Sequence, residues 1–377
     1  MSAPRVVPVR PDFSAGDVEE ILGAIRTSLE TGQLAQGEQV AAFERETAAA
    51  TGARHAVATG TGTGALVCGL RALAARGGGE VLVPANSFYS SAAAPLLAGL
   101  RTRLVDVEPD TLAPSVRTLR EAVTPSTVGV LTVHLGGLIS PELPEVAAWC
   151  AERGLWLYED CAHAHGSRLD GRHAGRFGVA GAFSYFATKV ITAAEGGMVV
   201  TDDDELAAAV RLHRNLGKPE EWRSHHTVLG ENARMSELHA AVGRVQLRRL
   251  DEFLAVRGRL ARQYTAGLAH IPGLTPVLPR HTAASWYKYV VLLDPGTDRA
   301  ALRAALAEAG VRLGGEIYEK PLDAQPVFAS LLPPGRHPVA EDLCARHICL
   351  PLHTRMTKED IGLVLSALPD ALKAATG

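Results

Sequence analysis

The sequence predicts a doubly wound α/β domain with a mostly parallel sheet, followed by a smaller α+β domain. Three observations predict it. Seven short apolar runs rich in β-branched residues recur between about residues 55 and 201, segments long enough for a helix separate them, and the pattern changes after residue 235. Taken in order, "DVEEILGAIRTSLETGQLAQGEQVAAFERETAAAT" (17–51) reads as two helices around a loop punctuated by Gly32 and Gly37. An arm of this kind often crosses to another subunit. The strands are expected at "HAVAT" (55–59), "EVLVP" (80–84), "TRLVDV" (102–107), "GVLTVH" (129–134), "LWLYED" (155–160), "AFSYF" (182–186) and "MVVT" (198–201). Runs apolar on both faces are what a parallel sheet covered by helices on each side requires. Next, "MSELHAAVGRVQLRRLDEFLAVRGRLARQY" (235–264) spaces Leu238, Val242, Val245, Leu250 and Leu254 at near-helical intervals, which predicts one long amphipathic helix. It leads into a unit with a strand at "YKYVVLL" (287–293) and a helix at "DRAALRAALAEAG" (298–310). The expected division is a large domain over 1–250, arm included, and a small one over 251–377.

Composition narrows the function classes. A chain of 377 residues, 47% apolar and 21% charged, with a formal net charge of −3, is that of an ordinary globular protein. It offers no electrostatic reason to bind nucleic acid or an anionic membrane. The first twenty residues lack an apolar signal core and no apolar stretch approaches about 18 residues, so a cytoplasmic protein is expected. The five cysteines, Cys68, Cys150, Cys161, Cys344 and Cys349, are scattered without a CxxC pair and fit reduced thiols in a core.

Ligands of open α/β sheets bind beyond the carboxyl ends of the strands. Asp160 ends the apolar run "LWLYED", and Lys189 follows the next run in "SYFATKVITAAEGG" (184–197), so both fall on one rim of the sheet. A structural ion pair is one reading of the two. A third element favours another. In "ATGTGTGAL" (58–66) a strand runs through a Gly/Thr-rich turn into a helix, where backbone N–H groups and the helix dipole favour phosphate. Thr61, Thr63 and Ser184 add hydroxyls. No GK[ST] follows the glycines, and Gly60, Gly62 and Gly64 miss the GxGxxG spacing of a dinucleotide site. A phosphate cradle, a strand-end acid and an isolated lysine are the groups pyridoxal phosphate needs: an amine for a Schiff base, a carboxylate for the pyridinium nitrogen, and a phosphate pocket. Arginine cannot form that imine. Phe88, in "VPANSFYSS" (83–91), supplies an aromatic face or packs in the core.

Several stretches, "GTGAL" (62–66), "EDCAHAHGS" (159–167), "FSYFATKVITAAEGGMVVTDD" (183–203) and "ENARMSELHAAVGRVQLRRLDEF" (231–253), resemble the DegT/DnrJ/EryC1/StrS sugar aminotransferase family of fold type I pyridoxal phosphate enzymes. The resemblance runs from "GQLAQGEQVAAFE" (32–44) to "ICLPLHTRMTKEDI" (348–361). It implies that Lys189 carries the cofactor and Asp160 pairs with its pyridine nitrogen. It further implies that Thr63, Gly64 and Ser184 hold the phosphate, that Phe88 stacks on the ring, and that Asn232 reaches the phosphate from the neighbouring subunit of a homodimer. His163 falls where members carry glutamine or histidine, near the ring face or its phenolic oxygen. Lysine at 189, where some members have histidine and dehydrate, implies transamination from glutamate or glutamine to a nucleotide-linked keto-deoxysugar. Departures at "HLGG" (134–137), "NARM" (232–235) and "PLD" (321–323) lie on the family's substrate side and suggest an atypical acceptor. Transamination of a ketocyclitol, aminoshikimate-type chemistry and a cofactor-bound sensor are the rival readings. Arg234 and Tyr318 are candidates for the donor carboxylate or the nucleotide, against surface or packing roles. Cys161, His163 and His165 alternate in "CAHAH" as metal ligands can, but no fourth ligand lies nearby, and no metal is expected.

Overall fold

The computed structural model describes residues 4–220 and 223–376. Helix α1 (Ala15–Thr31) starts where the Ser14 hydroxyl accepts the Asp17 N–H and the Asp17 side chain answers at the Ser14 N–H, and it ends at Gly32 with φ 74°. Helix α2 (Glu38–Thr51) has a glycine at its N-cap and borrows its acceptor from far along the chain. The buried Glu237 carboxylate takes the N–H groups of Gly37, Gln39 and Val40 at 2.8, 2.8 and 3.0 Å.

Strands and helices then alternate: β1 (His55–Thr59), α3 (Gly62–Ala74), β2 (Glu80–Pro84), α4 (Tyr89–Leu97), β3 (Arg101–Val105), α5 (Val116–Ala122), β4 (Thr127–Val133), α6 (Leu143–Glu152) and β5 (Trp156–Asp160). A small antiparallel hairpin, β6 (Arg168–Leu169) and β7 (Arg172–His173), precedes β8 (Ala180–Ser184) and β9 (Gly197–Thr201). Among the described residues the main sheet has seven strands in the order β1-β9-β8-β5-β4-β2-β3. Only β9 runs against the others. The carboxyl ends of β1, β2, β4, β5 and β8 therefore share one rim. Strands β2, β8 and β9 are buried at every position, as a sheet covered on both faces demands.

Helix α7 (Asp204–Arg214) returns across β9 and β1. The single helix expected over 235–264 is two, α8 (Glu237–Arg248) and α9 (Leu250–Leu268). The apolar spacing slips by one residue where Arg249 replaces the next apolar position. Arg249 leaves helical geometry at φ −94°, ψ 3°, while its guanidinium binds Asp17 at 2.6 Å and Glu252 at 2.8 Å. The remainder comprises β10 (Leu274–Pro276), β11 (Thr282–Ala283), β12 (Tyr289–Leu293), α10 (Arg299–Glu308), α11 (Pro338–Arg346), β13 (His347–Leu350) and α12 (Lys358–Thr376). Strands β10, β12 and β13 form a separate antiparallel sheet. Its core joins Leu260 and Tyr264 to Tyr289, Leu302, Ile348 and Leu368, whereas Val290, on the other face of β12, packs into the core of the main sheet beside Leu135. That contact seats the second unit against the strand rim. No described helix is long and apolar enough to cross a membrane.

Candidate active site

A cavity of about 460 Å³ opens where the second unit meets the rim. At one end Thr61 caps α3, its hydroxyl accepting the Gly64 N–H at 2.9 Å, so the amides of the first helical turn face the cavity without intrahelical acceptors. Thr63 Oγ1 lies 2.7 Å from Ser90 Oγ, and Ser184, at the end of β8, closes this corner. A Cβ on Gly62 would stand 2.6 Å from the Ser184 Cβ, so helix and strand approach there as closely as glycine permits.

Beneath the floor Asp160 is almost fully buried. Its oxygens accept the Ser91 O–H at 2.8 Å and the Ala162 N–H at 3.1 Å. Burial raises its carboxyl above the ordinary range, and those two hydrogen bonds and the Lys189 charge act against the rise. Half-buried Lys189 sits in the turn after β8, its N–H bonded to the Phe186 carbonyl at 2.9 Å. Burial lowers the Lys189 amine, Tyr287 and Asp160 oppose that, and Lys288 adds to it. No Asp160–Lys189 ion pair forms among the described residues, so the ion-pair reading has no contact behind it.

His163 lines the cavity with its ring stacked 4.3 Å from that of Tyr287, and its Nδ1 accepts the Gly136 N–H at 3.4 Å. That bond puts the ring proton on Nε2, and burial drives the pKa well below the usual histidine value, leaving a neutral ring. Phe88 and Tyr318 stack at 5.9 Å across the mouth. The structure thus brings Lys189, Asp160, Thr63, Ser184, Phe88, His163 and Tyr318 to one cavity. Gly64 stands one residue behind, in the capped turn. Asn232 and Arg234 do not line it. Asn232 is exposed and bridges to Asn215, whose side-chain oxygen accepts the Arg234 guanidinium at 2.9 Å.

Three contributors escaped the sequence reading: Ser91, Ser90 and Tyr287. Each sits beside an element the sequence did mark, the first two after β2 and the third before β12. The "CAHAH" stretch is a turn and not extended, so its alternate residues part. His165 donates to the Ser184 carbonyl at 2.7 Å and packs against Tyr185, whereas His163 stacks on Tyr287. Cys161 instead lies near His134 and Glu159, within 4.8 Å. Glu159 is committed there to the N–H groups of Gly175, Phe177 and Gly178 and to the His134 ring, a clamp on the loop before β8.

Comparison with known proteins decides the family. The DegT/DnrJ/EryC1/StrS aminotransferase family profile matches residues 16–369. The chain belongs to that family. Within it, the chain is 37% identical to the erythromycin biosynthesis sensory transduction protein EryC1 of Saccharopolyspora erythraea, over 92% of this chain and 93% of that one. It is 34% identical to the UDP-N-acetyl-3-dehydro-alpha-D-glucosamine 3-aminotransferase of Acidithiobacillus ferrooxidans, over 93% of both. The crystal structure of 3-amino-5-hydroxybenzoic acid synthase superposes with a TM-score of 0.90 at 31% identity, covering 99% of this chain and 100% of that one. This DegT/DnrJ/EryC1/StrS protein is a pyridoxal-phosphate-dependent aminotransferase of the fold type I class.

The residues present fit that cofactor. Asp160 is a buried acid with no cationic partner among the described residues, oriented by two donors with lone pairs to spare for a ring N–H. The helix terminus opposite is a cradle that a side chain at residue 62 would fill.

Proposed function

We propose that this enzyme transfers the amino group of L-glutamate or L-glutamine to the ketone of a nucleotide-linked deoxysugar, making an amino sugar in the cytoplasm. The observation that carries the reading is the opening of Lys189 and Asp160 into one cavity without pairing to each other. An amine lowered by burial holds a larger neutral fraction, and that fraction condenses with a carbonyl. Pyridoxal phosphate, when bound, supplies the aldehyde and a ring that withdraws the electrons of a broken Cα–H bond. Asp160 would keep a proton on the ring nitrogen. The N–H groups of Gly62 and Thr63, with the Ser184 hydroxyl, would hold the phosphate, Gly64 would keep the turn compact, and Phe88 would cover the ring. The Lys189 amine would serve as the base that takes a proton from the donor Cα and, in the second half of the exchange, returns one to the acceptor. His163, neutral and with its proton on Nε2, donates to an oxygen of the bound pair without adding charge.

The sugar reading is supported by the relative named for a UDP-linked sugar. The likeness to 3-amino-5-hydroxybenzoic acid synthase favours a second reading, aminoshikimate-type or ketocyclitol chemistry. We place Asn232 and Arg234 at the partner's cavity in a homodimer with shared sites, the former on the phosphate, and draw the domain boundary near residue 250. Tyr318 would meet the substrate at the mouth.

The test is a panel of TDP-, UDP- and GDP-linked keto-deoxysugars, a ketocyclitol and a shikimate-type ketone, offered with glutamate or glutamine and read by mass spectrometry for exchange of oxygen for NH₂. Amination of a nucleotide sugar is expected, with none in Lys189→Ala. Amination of the cyclic ketones alone would transfer the assignment to the second reading, and full activity in Lys189→Ala would end both.

A further inference from the structure

We propose that Lys288 is a positioning residue for the reaction: it acts on Lys189 across the ring of Tyr287, which the two amines approach together. The inference rests on the assignment of Lys189 as the reacting amine. Its basis is the chain path into β12. Trp286 has a φ of 53°, in the left-handed region a bulky residue rarely adopts, and its carbonyl accepts the guanidinium of buried Arg257 at 2.9 Å. Arg257 also holds the Leu352 carbonyl at 3.0 Å, so the turn is pinned from two sides. After that turn Tyr287 points into the cavity. Its ring lies against His163, and its hydroxyl is 3.2 Å from Thr188 Oγ1, one residue before the reacting lysine.

Lys189 Nζ stands 4.9 Å from the centroid of this ring and Lys288 Nζ 5.1 Å, which puts the two nitrogens at most about 10 Å apart. Lys288 is half-buried, and among the described residues no carboxylate comes within ion-pair distance of it. Arg10, Asp12 and Arg257 share a small second pocket with Lys189, and the other charged or titratable groups around it are, in the main cavity, Asp160, Tyr287 and His163 and, behind the strand, His165. Glu195 lines the same cavity. Of these Asp160 alone is a buried acid, and its oxygens already accept from Ser91 and Ala162. A second ammonium next to a desolvated first one makes the first easier to deprotonate, and burial at Lys189 works in the same direction. Lys288 does not line the cavity, so its charge reaches substrate through groups that do: Lys189 first, and also His163 and Tyr287.

The experiment compares Lys288→Gln and Lys288→Arg with the parent. The readout is the pH dependence of the rate at which apo-protein takes up pyridoxal 5′-phosphate, with a thermal melt of each apo-protein as the folding control. Two charges about 10 Å apart in a partly buried setting shift one another by about 0.5–1 pH unit. Lys288→Gln should therefore move the midpoint up by that amount and slow uptake several-fold near neutral pH, whereas Lys288→Arg should stay within about 0.2 unit of the parent. A midpoint unchanged in Lys288→Gln overturns the proposal. So does an equal displacement in Lys288→Arg, which would mean packing rather than charge. Lys189→Ala is run alongside. If it takes up the cofactor with the same pH profile as the parent, the failure lies with the assignment of Lys189 and not with Lys288.

Discussion

Replacing Gly62 by alanine tests the phosphate end of the site with the least chemistry. The added Cβ would lie 2.6 Å from Ser184 Cβ and 3.1 Å from Ser184 Cα, against the roughly 3.5–4.0 Å that two carbons tolerate. Ser184 cannot yield, because it is in register with Gly197 in the sheet and its carbonyl holds His165 at 2.7 Å. The first turn of α3 must retreat by roughly 1 Å instead, carrying its N–H groups out of line with the phosphate. Hydrogen bonds to a charged group contribute about 1.5–3 kcal/mol each, so impairing one or two weakens cofactor binding by about 3 kcal/mol, or roughly 100-fold in Kd. Overpacking should also lower the stability of the apo-protein by about 1–3 kcal/mol. Gly64→Ala is the control. Its Cβ would meet the Thr61 hydroxyl at 3.3 Å, a tight contact that needs a shift of a few tenths of an ångström, and Ala233 Cβ at 3.5 Å, so affinity should fall by much less than in Gly62→Ala, within about threefold, while helix propensity offsets part of the crowding. The assay is an absorbance titration of apo-protein with pyridoxal 5′-phosphate, with melts recorded without it. Wild-type affinity in Gly62→Ala, or an equal loss in Gly64→Ala, would refute the placement of the phosphate.

Three further outcomes follow from other parts of the molecule. Asp160→Asn should still bind the cofactor but lower the rate of amino transfer about 10²–10³-fold, measured as single-turnover loss of the visible band with glutamate, since one preorganised charge is removed from the reacting system. Glu237→Ala orphans three N–H groups at the start of α2, two of them buried, and should cost about 3 kcal/mol in denaturant unfolding, with cofactor affinity retained in whatever fraction folds. Burial depresses His165 to about 3 and His173 and His353 to about 4, so each takes up a proton on unfolding below its free value of about 6.5. Stability is therefore fully present above about pH 6.5 and lost as pH falls toward 4, by about 1.4 kcal/mol per pH unit per histidine; melts across that range should show the slope, and His173→Asn should reduce it.

Why so much of the fold was legible, and parts of the site were not, comes down to what burial does to a local pattern. A strand covered on both faces shows as an unbroken apolar run, and β1, β2, β5 and β9 fall within one residue of their runs for that reason. The break at Arg249 was hidden because leucines resume after it, and only the one-residue slip marks it. The Gly/Thr turn suggested a phosphate site, yet which of its glycines is crowded depends on Ser184 crossing from another strand, a contact about 120 residues away in sequence. Tyr287 and Ser91 resembled the packing of the strands beside them. What separates them from core residues is a partner, Thr188 for one and Asp160 for the other, that only the tertiary fold supplies. Asn232 and Arg234 lie outside the cavity of the single chain, beside Asn215, and only the proposed homodimer would bring them to a site.

The same burial explains why Asp160 and Lys189 serve better apart than paired. A buried acid and a buried amine in contact would each satisfy the other, and drawing them apart to admit a ring between them would cost several kcal/mol. Here the acid is steadied by one hydroxyl and one amide, neutral donors that orient it without discharging it, and the amine lies 4.9 Å from the ring centroid of Tyr287, a neutral partner. Desolvation then pushes the acid up and the amine down, toward the neutral forms, while no ligand is bound. Asp160 would then share a proton with the pyridine nitrogen of the cofactor, and Lys189 would present a neutral amine to its aldehyde. The strength of binding at both ends thus comes from desolvation already spent in folding, and breaking either end alone should leave the other measurably intact.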